Sequence, residues 1–284
     1  MPEDFEVIKV FNNNVLLAKQ LTTEKILIKK GLGFGKKPGE RIPQDTRFDQ
    51  IFVIENREAQ HKFNQLLAEV EESMFGVCEE VLWMIGNEVG EPISEEFHIG
   101  LIDHIAFTLY RIQRNDKIEN PFIVEIETLY AREYEIAQKA VAILAKNLKV
   151  EIPESEIGFI ALHIHSLRNN GKLSNTIKYA YICNSALELI EDELQIEVDR
   201  KSIDYARFVC HIRFAVERII KGIPIKNELL ASIRKTYKNS YQLAQQVAAM
   251  IEKEIYQKVP EAEIGFITMH VERIKNVSTM LTNG

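Results

Sequence analysis

YEIAQKAVAILAKNLKVEIPESEIGFIALH at residues 134–163 aligns without a gap onto YQLAQQVAAMIEKEIYQKVPEAEIGFITMH at 241–270. Every pair is 107 positions apart, and 13 of the 30 pairs are identical; unrelated sequences of average composition share roughly two in such a window. The same offset pairs DHIAFTLYR at 103–111 with CHIRFAVER at 210–218, so His104 matches His211 and His163 matches His270. A unit of this length is a duplicated domain, because solenoid repeats run to roughly 20–50 residues. Its apolar residues fall at helical spacing. In 241–256, Leu243, Val247, Met250, Ile251 and Ile255 form one stripe. Pro153 and Pro260, each followed by Glu, stand just before EIGFI and mark helix starts.

Outward from the repeat the text changes character. Residues 1–55 read as β: FEVIKVF alternates, Asn12-Asn13-Asn14 makes a hairpin turn, VLLAK returns, KILIKK follows, and FDQIFVIEN supplies a fourth strand. Glycines 31, 33 and 35 punctuate a loop or bulged strand end. The expected fold is multidomain α+β. A small antiparallel sheet at 1–60 precedes two homologous all-helical bundles at 61–171 and 172–284, joined through LRNNGKLSN at 167–175. A sheet that small calls for a partner, so a dimer is expected.

Composition narrows the class. A hydrophobic content of 46% is ample for packed cores. Cys78, Cys183 and Cys210 are an odd count without CxxC spacing, which speaks against disulfides or zinc and for a reducing cytosol. The acidic MPEDFEVIK start is no signal peptide, and no apolar run approaches a membrane span. The net charge of −7 hides a segregation: residues 1–55 carry nine Lys/Arg against eight Asp/Glu, and the remainder 26 against 34. Lys25, Lys29, Lys30, Lys36 and Lys37 fall within thirteen acid-free residues, a local site for a polyanion. Lysines neutralise phosphates, glycines admit a close backbone, Phe34 can stack on an unpaired base, and Asn14 carries a donor and an acceptor. The bland alternative is a solvated basic loop with Phe34 packed in the sheet. GLGFGKK lacks the spacing of a nucleotide phosphate loop.

Each helical copy holds two candidate nucleophiles. Arg111 and Arg218 follow His104 and His211 by seven residues, and Glu156 and Glu263 precede His163 and His270 by seven. Two helical turns put each pair on one face. An arginine fork takes a phosphate group, and a carboxylate fixes an imidazole tautomer. A histidine on a half-apolar helix is ordinarily a hydrogen-bonded core or boundary residue; four retained in register weaken that reading without removing it. His165 has no counterpart, since position 272 is Glu272, and His61 and His98 receive no role. No metal site and no cofactor are expected, and a metal- or phosphate-dependent enzyme on the duplicated helices stands as the alternative of another class.

KVFNNNVLLA, KKGLGFGKK, DHIAF with its Arg, EIGFIALHIH and the second HIRF and EIGF sets together resemble the bacterial transcription antiterminators of the BglG/SacY/LicT type, the glucose-type members above all. The resemblance covers essentially the whole chain. It implies a dimeric co-antiterminator RNA-binding domain that binds an mRNA leader hairpin overlapping a terminator. Two PTS regulation domains would follow, phosphorylated by a sugar permease or by HPr, in a cytoplasmic protein that is not an enzyme. By motif the phosphoacceptors would be His104, His163, His211 and His270, and the RNA contacts Lys9, Asn14, Lys29, Lys30 and Phe34. Many relatives have Gly-Arg where this chain has Lys29-Lys30, which keeps the charge but loses the planar fork. Cys210 replaces Asp103 beside the second-copy histidine, so the two copies would differ in reactivity.

Overall fold

The computed structural model describes residues 4–168 and 173–282. The chain packs as two compact units, residues 1–120 with 132–171, and 121–131 with 172–284.

The first unit opens with β1 (Phe5–Val10), β2 (Val15–Gln20), β3 (Thr23–Ile28), β4 (Arg41–Ile42) and β5 (Gln50–Val53), an antiparallel sheet in the order β4-β1-β2-β3-β5. Four of these are the alternating runs of the sequence. The two-residue β4 is an addition that no periodicity announces. Period-two alternation gives the sheet two faces. Leu16, Ala18 and Leu27 join Phe5, Val7 and Ile42 in one small core. Phe11 and Phe52 reach the helices that follow, Phe11 with its ring 4.5 Å from Phe75 and Phe52 stacked 4.0 Å from His98.

The β1–β2 turn is built by asparagine chemistry. Asn12 Oδ1 accepts from the amides of Asn14 and Val15 at 2.8 and 2.9 Å. The glycine loop after β3 is fastened to this turn. The Gly31 amide donates to Asn14 Oδ1 (2.9 Å), the Lys29 amide to the Asn14 carbonyl (3.0 Å) and the Gly33 amide to the Asn13 carbonyl (2.9 Å). Gly33 approaches so closely that a Cβ there would lie 2.1 Å from the Asn12 carbonyl oxygen.

Helices α1 (Arg57–Glu69), α2 (Glu72–Val89), α3 (Glu95–Gln113), α4 (Ile123–Leu129), α5 (Ala131–Leu148) and α6 (Ser155–Arg168) precede α7 (Leu173–Leu194), α8 (Ile203–Ile220), α9 (Leu230–Thr236), α10 (Lys238–Ile255) and α11 (Glu261–Thr282). The 107-residue offset reappears in the boundaries: α4 maps onto α9 and α5 onto α10 at both ends. It extends to backbone detail. Asn115 (φ 55°) and Gly222 (φ 65°) are left-handed at equivalent positions, as are Lys149 and Tyr256 (both φ 55°). The α10 stripe is buried at Leu243, Val247, Ile251 and Ile255.

The stretch 121–131, which the sequence reading assigns to the module at 61–171, packs with residues 172–284. Ile126 is fully buried there, and the Tyr205 hydroxyl donates to Glu125 at 2.9 Å. Burial raises the Glu125 carboxyl above its ordinary pKa. The linker read at 167–175 lies partly outside the described residues.

Replacing Gly33 by Ala is expected to destabilise the N-terminal sheet by roughly 1–3 kcal/mol, because backbone rather than a movable side chain blocks the new methyl. Urea unfolding followed at the sheet's own signals checks this; an unchanged midpoint would mean the two loops are not fastened.

Candidate RNA interface and paired histidines

His104 stands on α3, capped at its start by Ser94, whose Oγ accepts from the Phe97 amide. Glu156 stands in the first turn of α6, and His163 follows two turns later. The two helices face each other, and the His104 and His163 rings lie 5.0 Å apart between centroids. His104 Nε2 is 2.8 Å from Glu156 Oε2, and that carboxylate is 2% exposed.

The second unit repeats the arrangement on α8 and α11. The His211 and His270 rings stack at 4.7 Å. Here Arg218 takes the carboxylate with both arms of its fork, Nε to Glu263 Oε1 at 2.8 Å and Nη2 to Oε2 at 3.1 Å. His211 Nε2 stays 3.6 Å from Glu263, too far for a hydrogen bond. In the first unit Arg111 instead donates to the Lys117 carbonyl and lies over the Phe107 ring.

These partners correct the pairing read from the sequence. Glu156 binds His104 on the neighbouring helix, and Arg111 turns to the Lys117 carbonyl and the Phe107 ring, in place of the histidines seven residues away on their own helices. The glutamate crosses to the neighbouring helix, reaching His104 in one copy and Arg218 in the other. The carboxylate partners differ between the copies although both carry the arginine: Arg218 turns onto Glu263, while Arg111 turns to Lys117.

Burial keeps three of the four rings uncharged. It lowers His163 to about 3, with His104 adding to the effect. It lowers His211 to about 4, with Arg218 adding, and His270 to about 4, with His211 next in weight. An uncharged imidazole keeps a nitrogen lone pair, the requirement for attack on phosphorus. Phe159, which lies between Glu156 and His163 on α6, brings its ring 5.9 Å from His104 on α3. In the second copy Gly265 leaves room for Asn227, which donates to the Ala262 carbonyl at 3.3 Å.

The unmatched His165 finds Glu133 at 3.3 Å. At the equivalent positions Ser240 donates to Glu272 at 2.5 Å, so donor and acceptor have exchanged helices. His61 is exposed. His98 is buried between Phe52 and Glu79, 3.0 Å from the carboxylate.

On the sheet, the asparagine turn and glycine loop bring Asn14, Lys29 and Lys30 into one patch, with Lys9 beside the turn on β1. Phe34 is 77% exposed, which overturns the reading of that ring as packed in the sheet. Lys30 is exposed and Lys29 half-buried. Asn14 Nδ2 donates to Glu80 on α2 at 2.9 Å, and Lys9 pairs with Glu72 at 3.1 Å. Nothing in the local sequence could have announced Glu72, Glu79, Glu80 or His98, because their partners lie far along the chain. Among the described residues no group of three or more His, Cys, Asp and Glu could hold a metal ion, and no helix is long and apolar enough to cross a membrane.

A β-sheet with an exposed lysine–phenylalanine loop, followed by duplicated helical units with facing imidazoles, defines a nucleic-acid-binding regulator. The family comparisons agree: residues 5–61 match the CAT RNA binding domain, and 79–167 and 184–274 each match the PRD domain. The chain belongs to the family of transcription antiterminators that carry these domains. It is 37% identical over 279 residues to the PtsGHI operon antiterminator of Bacillus subtilis, covering 97% of this chain and 99% of that protein. Protein GlcT of Staphylococcus saprophyticus is 33% identical over 270 residues, 94% of this chain and 96% of that one. A crystal structure of GlcT CAT-PRDI superposes with a TM-score of 0.50 at 39% identity, covering 59% of this chain and all of that one.

The lowered histidine pKa values make stability pH-dependent. A folded pKa below the unfolded 6.5 means the unfolded chain binds more protons in between. The stabilisation is complete above about pH 6.5 and is lost as pH falls toward about 4. His163→Gln is expected to flatten that slope. Denaturation midpoints measured across this range check it; an identical slope in the variant would contradict the assignment.

Proposed function

We propose that the protein is an RNA-binding antiterminator of the glucose type, switched by histidine phosphorylation. Its sheet, limits 1–60, works as a dimer and grips an mRNA leader hairpin through Lys9, Asn14, Lys29, Lys30 and Phe34. The hairpin overlaps a terminator, so holding it prevents the terminator from forming. The helical modules, limits 61–171 and 172–284, are PTS regulation domains and catalyse no reaction of their own. A sugar permease and HPr deliver phosphoryl groups to His104, His163, His211 and His270 in the cytoplasm.

The observation that carries this reading is the facing imidazole pair, repeated in both units at ring distances of 5.0 and 4.7 Å. A packing histidine needs no second imidazole opposite it. An acceptor pair profits from one, since His104 and His211 each help burial to keep the facing ring, His163 or His270, unprotonated. A phosphoryl group adds about two negative charges. Placed on His104, it would meet the buried Glu156 at hydrogen-bond distance and repel it. The α3–α6 contact then has two states of different packing, which is the element a switch requires. In the second unit Arg218 stands ready beside His211, so phosphate there meets a cation as well as Glu263.

His104→Ala with His163→Ala in a reporter strain tests the reading. Antitermination is expected to become constitutive without sugar, while His61→Ala changes nothing. Normal sugar-dependent regulation in the double variant would sink it. For the RNA face, Phe34→Ala is expected to weaken hairpin binding by on the order of 1–3 kcal/mol if the ring stacks on a base. Affinity should also fall steeply with salt as neutralised phosphates release counterions. Filter binding at several ionic strengths measures both; a flat salt response would rule out a lysine-to-phosphate interface.

A further inference from the structure

We infer that the acidic face of α2 is an intramolecular mimic of the RNA and occupies part of the RNA-binding face in this state. The inference rests on the RNA reading proposed above and adds its regulation.

Four observations converge on the asparagine turn. Glu80 Oε1 accepts from Asn14 Nδ2 at 2.9 Å and from Asn12 Nδ2 at 3.0 Å. Glu72 Oε1 lies 3.1 Å from Lys9 Nζ, two helical turns before Glu80 on the same face of α2. Between them stands Gly76, and a Cβ built there would lie 2.6 Å from Asn12 Nδ2. The Phe11 and Phe75 rings close the contact at 4.5 Å. Glu69, Glu71 and Glu80 also line a cleft of about 730 Å³ that the turn at 12–14 borders.

The chemistry is that of a nucleic acid. A carboxylate offers Lys9 the charge a phosphate would offer, and it offers the asparagine amides the acceptor oxygen that a base edge or phosphate would supply. Glycine at 76 lets the helix come within contact of the turn, as a duplex groove would. Lys9 and Asn14 are therefore engaged, while Lys30 and Phe34 remain exposed. RNA can meet the loop but must displace α2 to reach the turn. The cover is made of two exposed or half-buried carboxylates and one glycine around the buried Phe11–Phe75 contact, so RNA has to part that ring pair to reach the turn.

The test uses the full chain and fluorescence anisotropy with labelled leader RNA of the Bacillus subtilis ptsGHI operon. Glu72→Ala with Glu80→Ala is expected to tighten binding about tenfold, the scale of one charge-assisted hydrogen bond. Gly76→Ala, which changes no charge and favours the helix, should tighten binding in the same direction by prising α2 off Asn12. Glu151→Ala with Glu154→Ala removes the same charge from an exposed loop and should leave affinity within about twofold. Asn14→Ala should weaken binding and abolish the gain in the Glu72/Glu80 background. Unchanged affinity in both α2 variants, or an equal gain from the Glu151/Glu154 control, would overturn the masking. Should Asn14→Ala leave the affinity of an RNA-binding chain untouched, the RNA-face assignment itself fails; α2 variants that gain nothing while Asn14→Ala weakens binding refute the mask alone.

Discussion

A carboxylate buried between helices has to be met, and the glutamate of each EIGF motif imposes that constraint on its module. Glu156 and Glu263 are 2% and 0% exposed. Leaving either without a donor would cost more than a helical module can spare. The glutamate therefore binds the helix opposite, through His104 on α3 or through Arg218 on α8. Once that crossing is made, the register of the two helices is set. The second histidine, two turns further on, is then carried to within ring contact of the first. The imidazole pair follows from the buried acid.

His104 is half-buried, with a carboxylate on one side and another imidazole on the other. A phosphoryl charge added beside the buried Glu156 would be only partly screened and would favour movement. In the second module Arg218 already neutralises the acid, so added charge enters a less hostile setting. The duplicated units thus share a fold and differ in electrostatic balance. At the other end of the first unit, α2 couples helices to sheet through Glu72 and Glu80. The α2 helix packs on both β2 and α3. A change at α3 and a change at the asparagine turn are therefore separated by one rigid element.

Local information carried much of this into the sequence. Four strands were visible because alternation is a two-residue property, and the turn because asparagine satisfies its own backbone. The duplication was visible because it is written twice, and its offset returns in helix ends and in left-handed residues such as Asn115 and Gly222. What stayed hidden needs two distant pieces of chain at once. The partner of Glu156 lies 52 residues away and that of Asn14 66 residues away. The two-residue β4 has no period to read. The packing of 121–131 with the second unit depends on Glu125 meeting Tyr205, which no spacing rule anticipates.

Phosphate on the first histidine pair and RNA on the sheet are proposed to exclude each other. The most direct measurement is the affinity of the full chain for one leader hairpin, with and without a phosphoryl group on His104 or His163, its position verified by mass spectrometry. The unmodified protein is expected to bind strongly and to lose that binding on modification. Equal affinity in the two states would contradict it.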